Sequence, residues 1–230
     1  MSESEGFKRE AAYAAVDRYV RSGMTVGLGT GSTAVWVVRR LGEKLASGDL
    51  KDVVGVPTSE RTAGEARERG VPLATLAEAR PDVTLDGADE ISPEVNVIKG
   101  LGGALLREKI VAFASGSLVI VADGSKLVGR LGERTPVPVE VERFGADATL
   151  KALAALGCEP KLRPGEDGSP FITDGGNYTA DCYFGEIEDP ARLEAEIKSI
   201  PGALECGLFI GLARAAVVSD AGGLRVLEAR

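Results

Sequence analysis

The sequence predicts an α/β protein built from a mainly parallel sheet domain and a second, smaller α+β domain. Three observations carry this. Through the first half, short apolar strands alternate with segments of helical periodicity, and strands separated by helices imply βαβ units whose parallel sheet is covered on both faces. After about Arg134 the rhythm changes to a β-α-β-β-α-β order over residues 135–206. Beyond it the chain returns to short apolar strands, expected to rejoin the first sheet. The domains are therefore expected at 1–134 plus 207–230 and at 135–206.

Lys8 to Val20 carries apolar residues at helical spacing, and Gly23 ends it. MTVGLG (Met24 to Gly29) reads as a buried strand, after which Ser32 or Thr33 can cap a helix through TAVWVVRRLGEKLA. VVGVP (Val53 to Pro57) is the next strand, and Thr58 or Ser59 can cap a helix that runs to Arg69 and stops at Gly70. A short helix, TLAEAR, leads to the strand VTLDGA (Val83 to Ala88). Gly103 to Phe113 is helical, and SLVIVAD (Ser117 to Asp123) is a further strand.

In the second domain, TPVPVEVERF has the prolines and alternating Val of an edge strand or a domain crossing. DATLKALAALG is an amphipathic helix, and FITDGGNYTADCYF reads as a hairpin turning at Asp-Gly-Gly-Asn. DPARLEAEIKSIPG is a helix opened by Pro190 and closed by Pro201-Gly202. The order is that of a ferredoxin-type unit. GLFIGLA, AAVVSD and GLRVLEA are the closing strands.

Composition excludes several function classes. The 230 residues are 44% hydrophobic with a net charge of −8, enough apolar content for a proper core and the wrong sign for a general nucleic-acid partner. Cys158, Cys182 and Cys206 show no C-x-x-C spacing, which fits a reducing cytoplasm rather than a disulfide framework or structural zinc. The stretch MSESEGFKRE is polar and lacks the apolar segment of a signal peptide, and no apolar run reaches the ~20 residues of a membrane span. The expectation is a cytoplasmic protein without a membrane partner.

The most chemically loaded stretch is DGADEISPEVNVIKGLGGALLRE, which holds Asp86, Asp89, Lys99 and Glu108 in a chain with no histidine. Histidine is the usual proton carrier near neutral pH, so acid–base chemistry here must use carboxylates and Lys. Asp86 and Asp89 follow a strand, at the edge where open parallel sheets bind ligands. Two such carboxylates can share a proton, bind a divalent cation or accept hydroxyl hydrogens; as a solvated acidic turn they would do none of these. Glu90 lies beyond the turn and is expected at the surface. Glu108 falls at the edge of an apolar helix face, where desolvation would raise its pKa toward that of a general base. The plain alternative is an exposed helix charge. Lys99 can neutralise an oxyanion with the amides of Gly100, Leu101 and Gly102.

GLGTGST joins a strand to a helix, so its amides and the helix N-terminus suit a phosphate; otherwise it is a tight turn capped by Ser32. It lacks the Lys-Ser/Thr of a P-loop and the third glycine of G-x-G-x-x-G. ADGSK places Lys126 at a strand end as well, as a phosphate or hydroxyl ligand or as a surface Lys. Four strand-end motifs are thus expected at one edge of the sheet.

Together, GLGTGST, TSERT, DGADE, KGLGGALLREK and ADGSKLV, followed by VPVEV and TDGGN, resemble the type A ribose-5-phosphate isomerases over nearly the whole chain. Leu101 stands where many relatives carry Gly or Arg. The resemblance implies a Rossmann-like catalytic domain with a smaller domain involved in oligomer contacts. It implies interconversion of D-ribose 5-phosphate and D-ribulose 5-phosphate in the non-oxidative pentose phosphate pathway through a cis-enediolate, with no metal or organic cofactor. It places the active site on Asp86, Asp89, Lys99 and Glu108. Substrate contacts fall on Thr30, Gly31, Ser32, Thr33, Gly87, Ala88, Gly100, Leu101, Gly102 and Lys126, and the expected partners are a small sugar phosphate and copies of the chain in a homodimer or homotetramer. Asp86 would open the ring, Glu108 move the carbon proton, Lys99 hold the oxyanion and Asp89 serve the hydroxyls. The phosphate is left among Lys8, Lys126 and the Gly27-to-Thr33 loop. A sugar-phosphate lactonase could use a related sheet and carboxylates; an amino-sugar-phosphate isomerase would be expected to use a histidine for ring opening. A non-catalytic sensor would carry a DNA-binding or partner module, for which no residue range is left.

Overall fold

A computed structural model of the chain describes residues 2–229, so Met1 and Arg230, included in the expected first domain, lie outside the described residues. The chain forms two units, one from residues 1–88, 107–126 and 211–230, the other from residues 89–106 and 127–210. The expected boundary at residue 134 is thus crossed earlier. The segment 89–106 belongs with the second unit, where its strand at Val97–Ile98 pairs on one side with Leu208–Phe209 and on the other with Glu90–Ile91.

The first unit contains α1 (Glu3–Tyr19), β1 (Thr25–Leu28), α2 (Ala34–Ser47), β2 (Val54–Pro57), α3 (Glu60–Glu68) and β3 (Val83–Asp86). Two two-residue strands of the second unit follow, β4 (Glu90–Ile91) and β5 (Val97–Ile98), then α4 (Leu105–Ala114) and the first unit's β6 (Leu118–Asp123). The second unit continues with β7 (Val137–Val141), α5 (Ala146–Ala155), β8 (Glu159–Leu162), β9 (Tyr178–Tyr183), α6 (Pro190–Lys198), β10 (Ala203–Cys206) and β11 (Leu208–Phe209). The chain returns to the first unit as β12 (Ala213–Asp220) and β13 (Gly223–Glu228).

The first unit's six strands lie in the order β13-β12-β6-β3-β1-β2, parallel except for β13, which runs antiparallel to β12. β3 and β6 are buried at every position, as strands covered on both faces must be. Ala11, Ala12, Ala15 and Val16 make a small-residue stripe on α1 that joins Val37, Leu41, Leu85, Val119 and Val217 in one core. α3 starts as expected: Ser59 Oγ accepts from the Thr62 N–H at 3.1 Å. α2 does not, since Thr33 occupies its N-cap position without a side-chain cap bond. The expected TLAEAR helix is only a turn, which Glu78 folds back by accepting from both the N–H and the hydroxyl of Thr75.

The second unit's four-stranded sheet has the order β10-β7-β9-β8, all antiparallel, which together with the two intervening helices is the ferredoxin-type topology. Of the two readings its prolines allowed, an edge strand or a domain crossing, the edge is not realised: β7 is an inner strand. Pro138 is tolerated there because β10 pairs only as far as Val139. Its core is Val137, Val139, Val141, Leu153, Ala180 and Ile197. β11 also departs from expectation, forming a separate three-stranded sheet, β11-β5-β4, while β12 and β13 do rejoin the large one.

Candidate active site

In the first unit, β1, β3 and β6 run parallel and end in GLGTGST, DGADE and ADGSK, so three of the four motifs share one edge. The fourth, KGLGG, follows β5 in the three-stranded sheet of the second unit, so it is not a strand-end loop of the large sheet.

Asp86, the last residue of β3, is 1% exposed. Its Oδ1 accepts from the N–H of Thr30 at 3.1 Å and from that of Gly87 at 2.7 Å. The carboxylate is thus aimed by two amides, one from each adjoining loop. Gly29 makes this possible: a Cβ there would stand 2.0 Å from Asp86 Oδ1. Glu108, in the first turn of α4, is 2% exposed, against the plain alternative of a solvated helix charge.

The GLGTGST loop rests on a buried hydroxyl cluster that sequence reasoning missed. Thr30 Oγ1 meets Thr58 Oγ1 and Ser59 Oγ at 2.8 Å and Thr62 Oγ1 at 3.1 Å. Thr58 and Thr62 in turn donate to the Leu28 and Gly29 carbonyls at 3.0 Å. TSERT therefore supports the loop. Hydroxyl residues gathered just after two neighbouring strands, β1 and β2, were the legible signal for it. Thr30 is engaged inward by this network, whereas Ser32 is exposed. Lys8, from α1, reaches that residue: its Nζ donates to Ser32 Oγ at 3.1 Å and to Glu5 Oε1 at 3.3 Å. Thr33 is buried, and a Cβ on Gly87 would lie 3.8 Å from its Cβ, so these two loops run side by side. Gly31 and Ala88 are partly exposed, and Lys126 closes a short 3-10 turn after β6, also partly exposed. The N-terminus of α2, which has no side-chain cap, follows Ser32; Val35 and Trp36 donate their N–H groups to the Gly31 and Thr33 carbonyls, and the helix dipole there favours an anion.

In the second unit, Asp89 Oδ2 accepts from the Leu101 N–H at 3.0 Å, so the loop after β5 is tied to the acidic turn. Lys99 is 2% exposed, its N–H donates to the Gly207 carbonyl at 2.9 Å, and its Nζ stands 5.5 Å from the centre of the Phe209 ring. Gly100 has φ of +110°, and a Cβ there would also strike Leu105, so only glycine fits. Leu101 and Gly102 are exposed.

Glu90 is not at the surface: it is 1% exposed and accepts three backbone N–H bonds, from Gly132 at 2.6 Å and from Arg134 and Thr135 at 2.7 Å. A two-residue strand gave no signal for this, because the partners lie more than forty residues away. Its role is to hold the 132–135 turn. For metals, Glu194, Glu205 and Cys206 place three ligand-type atoms within 4.8 Å of one another in the second unit. There, Glu205 Oε2 is held by Lys198 at 2.8 Å and Oε1 accepts from the Cys206 N–H at 2.9 Å, so both carboxylate oxygens are already engaged.

The sequence profile of the family described as ribose 5-phosphate isomerase A (phosphoriboisomerase A) matches residues 54–223. Proteins named ribose-5-phosphate isomerase A from Roseiflexus castenholzii and Gloeobacter violaceus are 54% and 55% identical, each match covering 96% of this chain and 95% of the relative. Among solved structures, a D-ribose-5-phosphate isomerase in complex with phospho-erythronic acid superposes with a TM-score of 0.96 at 39% identity, over 99% of this chain and 100% of that one. The ribose 5-phosphate isomerase from Plasmodium falciparum does so with a TM-score of 0.94 at 42% identity, over 97% and 98%. On this similarity, the chain belongs to the ribose 5-phosphate isomerase A family.

Proposed function

We infer that this chain is an aldose–ketose isomerase that interconverts D-ribose 5-phosphate and D-ribulose 5-phosphate, as its family membership supports. The observation that carries the reading is the burial of Asp86, Lys99 and Glu108 at 1–2% exposure. Charged side chains are rarely buried so completely; of the four in this stretch, Glu90 is accounted for by the 132–135 turn, and family membership supports a chemical role for the other three.

The proposed mechanism uses only this chain's own side chains. Asp86, whose Oδ1 is held by two amides, exchanges the ring-opening proton through its carboxyl group. Glu108 takes the C2 proton of the open aldose, leaving a cis-enediolate, and delivers it to C1 of the ketose. The charge that develops on the substrate oxygen is met by Lys99 and by N–H groups of the Gly100-to-Gly102 loop. Asp89, which already anchors that loop, orients the hydroxyls and passes the proton between O1 and O2.

The phosphate is assigned to Lys8, Ser32, Thr33 and the N-terminus of α2, with Lys126 as a further contact. The Lys8–Ser32 bond supports this choice among the three regions, because it puts a cation beside the exposed loop hydroxyl. The chain is acidic overall, so an anionic substrate needs such a local concentration of donors. The protein is proposed to work in the cytoplasm, in the non-oxidative pentose phosphate pathway, as a homodimer or homotetramer with contacts through the second unit. Exposed Phe144, Ile172 and Tyr183 on that unit and three free cysteines support these assignments. Among the described residues, no helix is long and apolar enough to cross a membrane.

The test is conversion of ribose 5-phosphate followed by NMR with and without EDTA. Ribulose 5-phosphate should form at equal rates in both; absence of turnover in both would overturn the assignment, and loss with EDTA alone would overturn the metal-free chemistry.

A further inference from the structure

The loop Lys99–Gly103 is gripped from outside the expected site by Arg163, the residue that follows β8. The Arg163 backbone is fixed on both sides, its N–H donating to the Thr179 carbonyl and its carbonyl accepting from the Phe171 N–H, both at 2.8 Å. Its guanidinium, mostly buried, pairs in a fork with Asp181, Nε with Oδ2 at 3.0 Å and Nη2 with Oδ1. That pairing leaves Nη1, whose two hydrogens go to the carbonyls of Gly100 at 2.9 Å and Leu101 at 3.1 Å. Planar guanidinium can serve a carboxylate and two carbonyls at once; an ammonium cannot reproduce that fork.

The consequence lies in peptide geometry. In a trans peptide the C=O and the following N–H point in opposite directions. With the Gly100 carbonyl on Arg163 and on the Gly103 N–H at 3.0 Å, the Leu101 N–H points away and is the group that donates to Asp89. With the Leu101 carbonyl also on Arg163, the Gly102 N–H is turned to that same side. Phe171 adds a steric stop: a Cβ on Gly103 would lie 2.5 Å from its ring.

We propose that Arg163, locked by Asp181, is a positioning residue for the isomerisation, holding two consecutive loop peptides so that their N–H groups face Asp89 and the substrate oxygen. This rests on the assignment of the Lys99-to-Gly102 loop to the oxyanion.

The experiment compares Arg163→Lys, which keeps a cation beside Asp181, with the double variant Arg163→Met/Asp181→Asn, which leaves no unpaired charge should the single change fail to fold. In the variant that folds, kcat should fall roughly ten- to a hundredfold with KM within about threefold of wild type, because the lost donors act on charge that develops during reaction. Amide hydrogen exchange at Leu101 and Gly102 should quicken while the melting temperature of Arg163→Lys stays within a few degrees. Wild-type kcat and unchanged exchange in Arg163→Lys would overturn the proposal, as would a kcat loss with no change in loop exchange. Lys99→Met separates the two levels. If it is inactive while the Arg163 variants are fully active, the positioning role alone fails. If Lys99→Met turns over like wild type, the oxyanion assignment itself fails and takes this inference with it.

Discussion

Gly29→Ala adds one methyl group at the point where the GLGTGST loop crosses Asp86. The new Cβ would stand 2.0 Å from Asp86 Oδ1, 2.2 Å from Cγ and 2.6 Å from Cα. The carboxylate cannot simply rotate away without losing the Thr30 and Gly87 amides, and the Cα belongs to a central strand. Restoring an ordinary carbon–carbon contact of about 3.5 Å requires the loop and β3 to part by about 1 Å. Overpacking of this kind costs about 1–3 kcal/mol of stability, and a displacement of about 1 Å in a catalytic group can cost about a hundredfold in rate. Gly27→Ala is the control, since its Cβ would meet Thr84 Oγ1 at 1.9 Å, away from the carboxylate. Urea unfolding should show a comparable loss for both variants, whereas kcat for ribose 5-phosphate should fall about a hundredfold in Gly29→Ala and much less in Gly27→Ala. Equal kcat losses in the two, or a Gly29→Ala enzyme within threefold of wild type, would refute the claim that this glycine serves the placement of Asp86.

Two further outcomes concern stability. Glu90→Ala strips the acceptor from three backbone N–H groups, one buried and two partly open to solvent; at about 1–3 kcal/mol for a buried donor left unsatisfied and less for the other two, the total loss should reach about 2–4 kcal/mol, readable as a lowered urea midpoint. On the first unit, Asp17 bridges α1 to α2 through Arg40 at 2.9 Å and Lys44 at 2.7 Å. Partial burial pushes its pKa up, but the bonds from Arg40 and Lys44 outweigh this and hold it below the ordinary 3.8. A carboxyl lowered on folding stabilises above its unfolded pKa and loses that contribution as pH falls through the folded one. Asp17→Asn should therefore lower stability at pH 7 by less than about 1 kcal/mol, since the pair is well exposed, and the difference from wild type should shrink below about pH 4. A difference that stays constant down to pH 2 would remove the ion pair as its cause.

Many of the strands and helices were legible from local pattern: buried β6 as an apolar run from Leu118 to Ala122, α6 between Pro190 and Gly202, and the ferredoxin-type order from its alternation. What stayed hidden depended on partners far along the chain. β7 looked like an edge because Pro138 lacks an N–H, but β10 stops short of it. TLAEAR has helical composition, yet Glu78 is spent on Thr75 and the segment closes as a turn. Glu90 resembled a surface charge until the 132–135 amides converged on it, and Arg163 carried no motif because its meaning lies in two carbonyls some sixty residues away. The candidate catalytic groups were legible for the opposite reason: their chemistry is concentrated in residues 86–108 and needs no distant partner to be noticed.

The central claim is that Glu108 carries the carbon-bound proton, and Glu108→Gln tests it directly. The variant keeps the size of the side chain and removes the base. Turnover of ribose 5-phosphate, and exchange of deuterium from solvent into the sugar, should both fall by at least about a thousandfold while substrate binding measured by calorimetry stays within a few-fold of wild type. Turnover or exchange within tenfold of wild type in this variant would contradict the account.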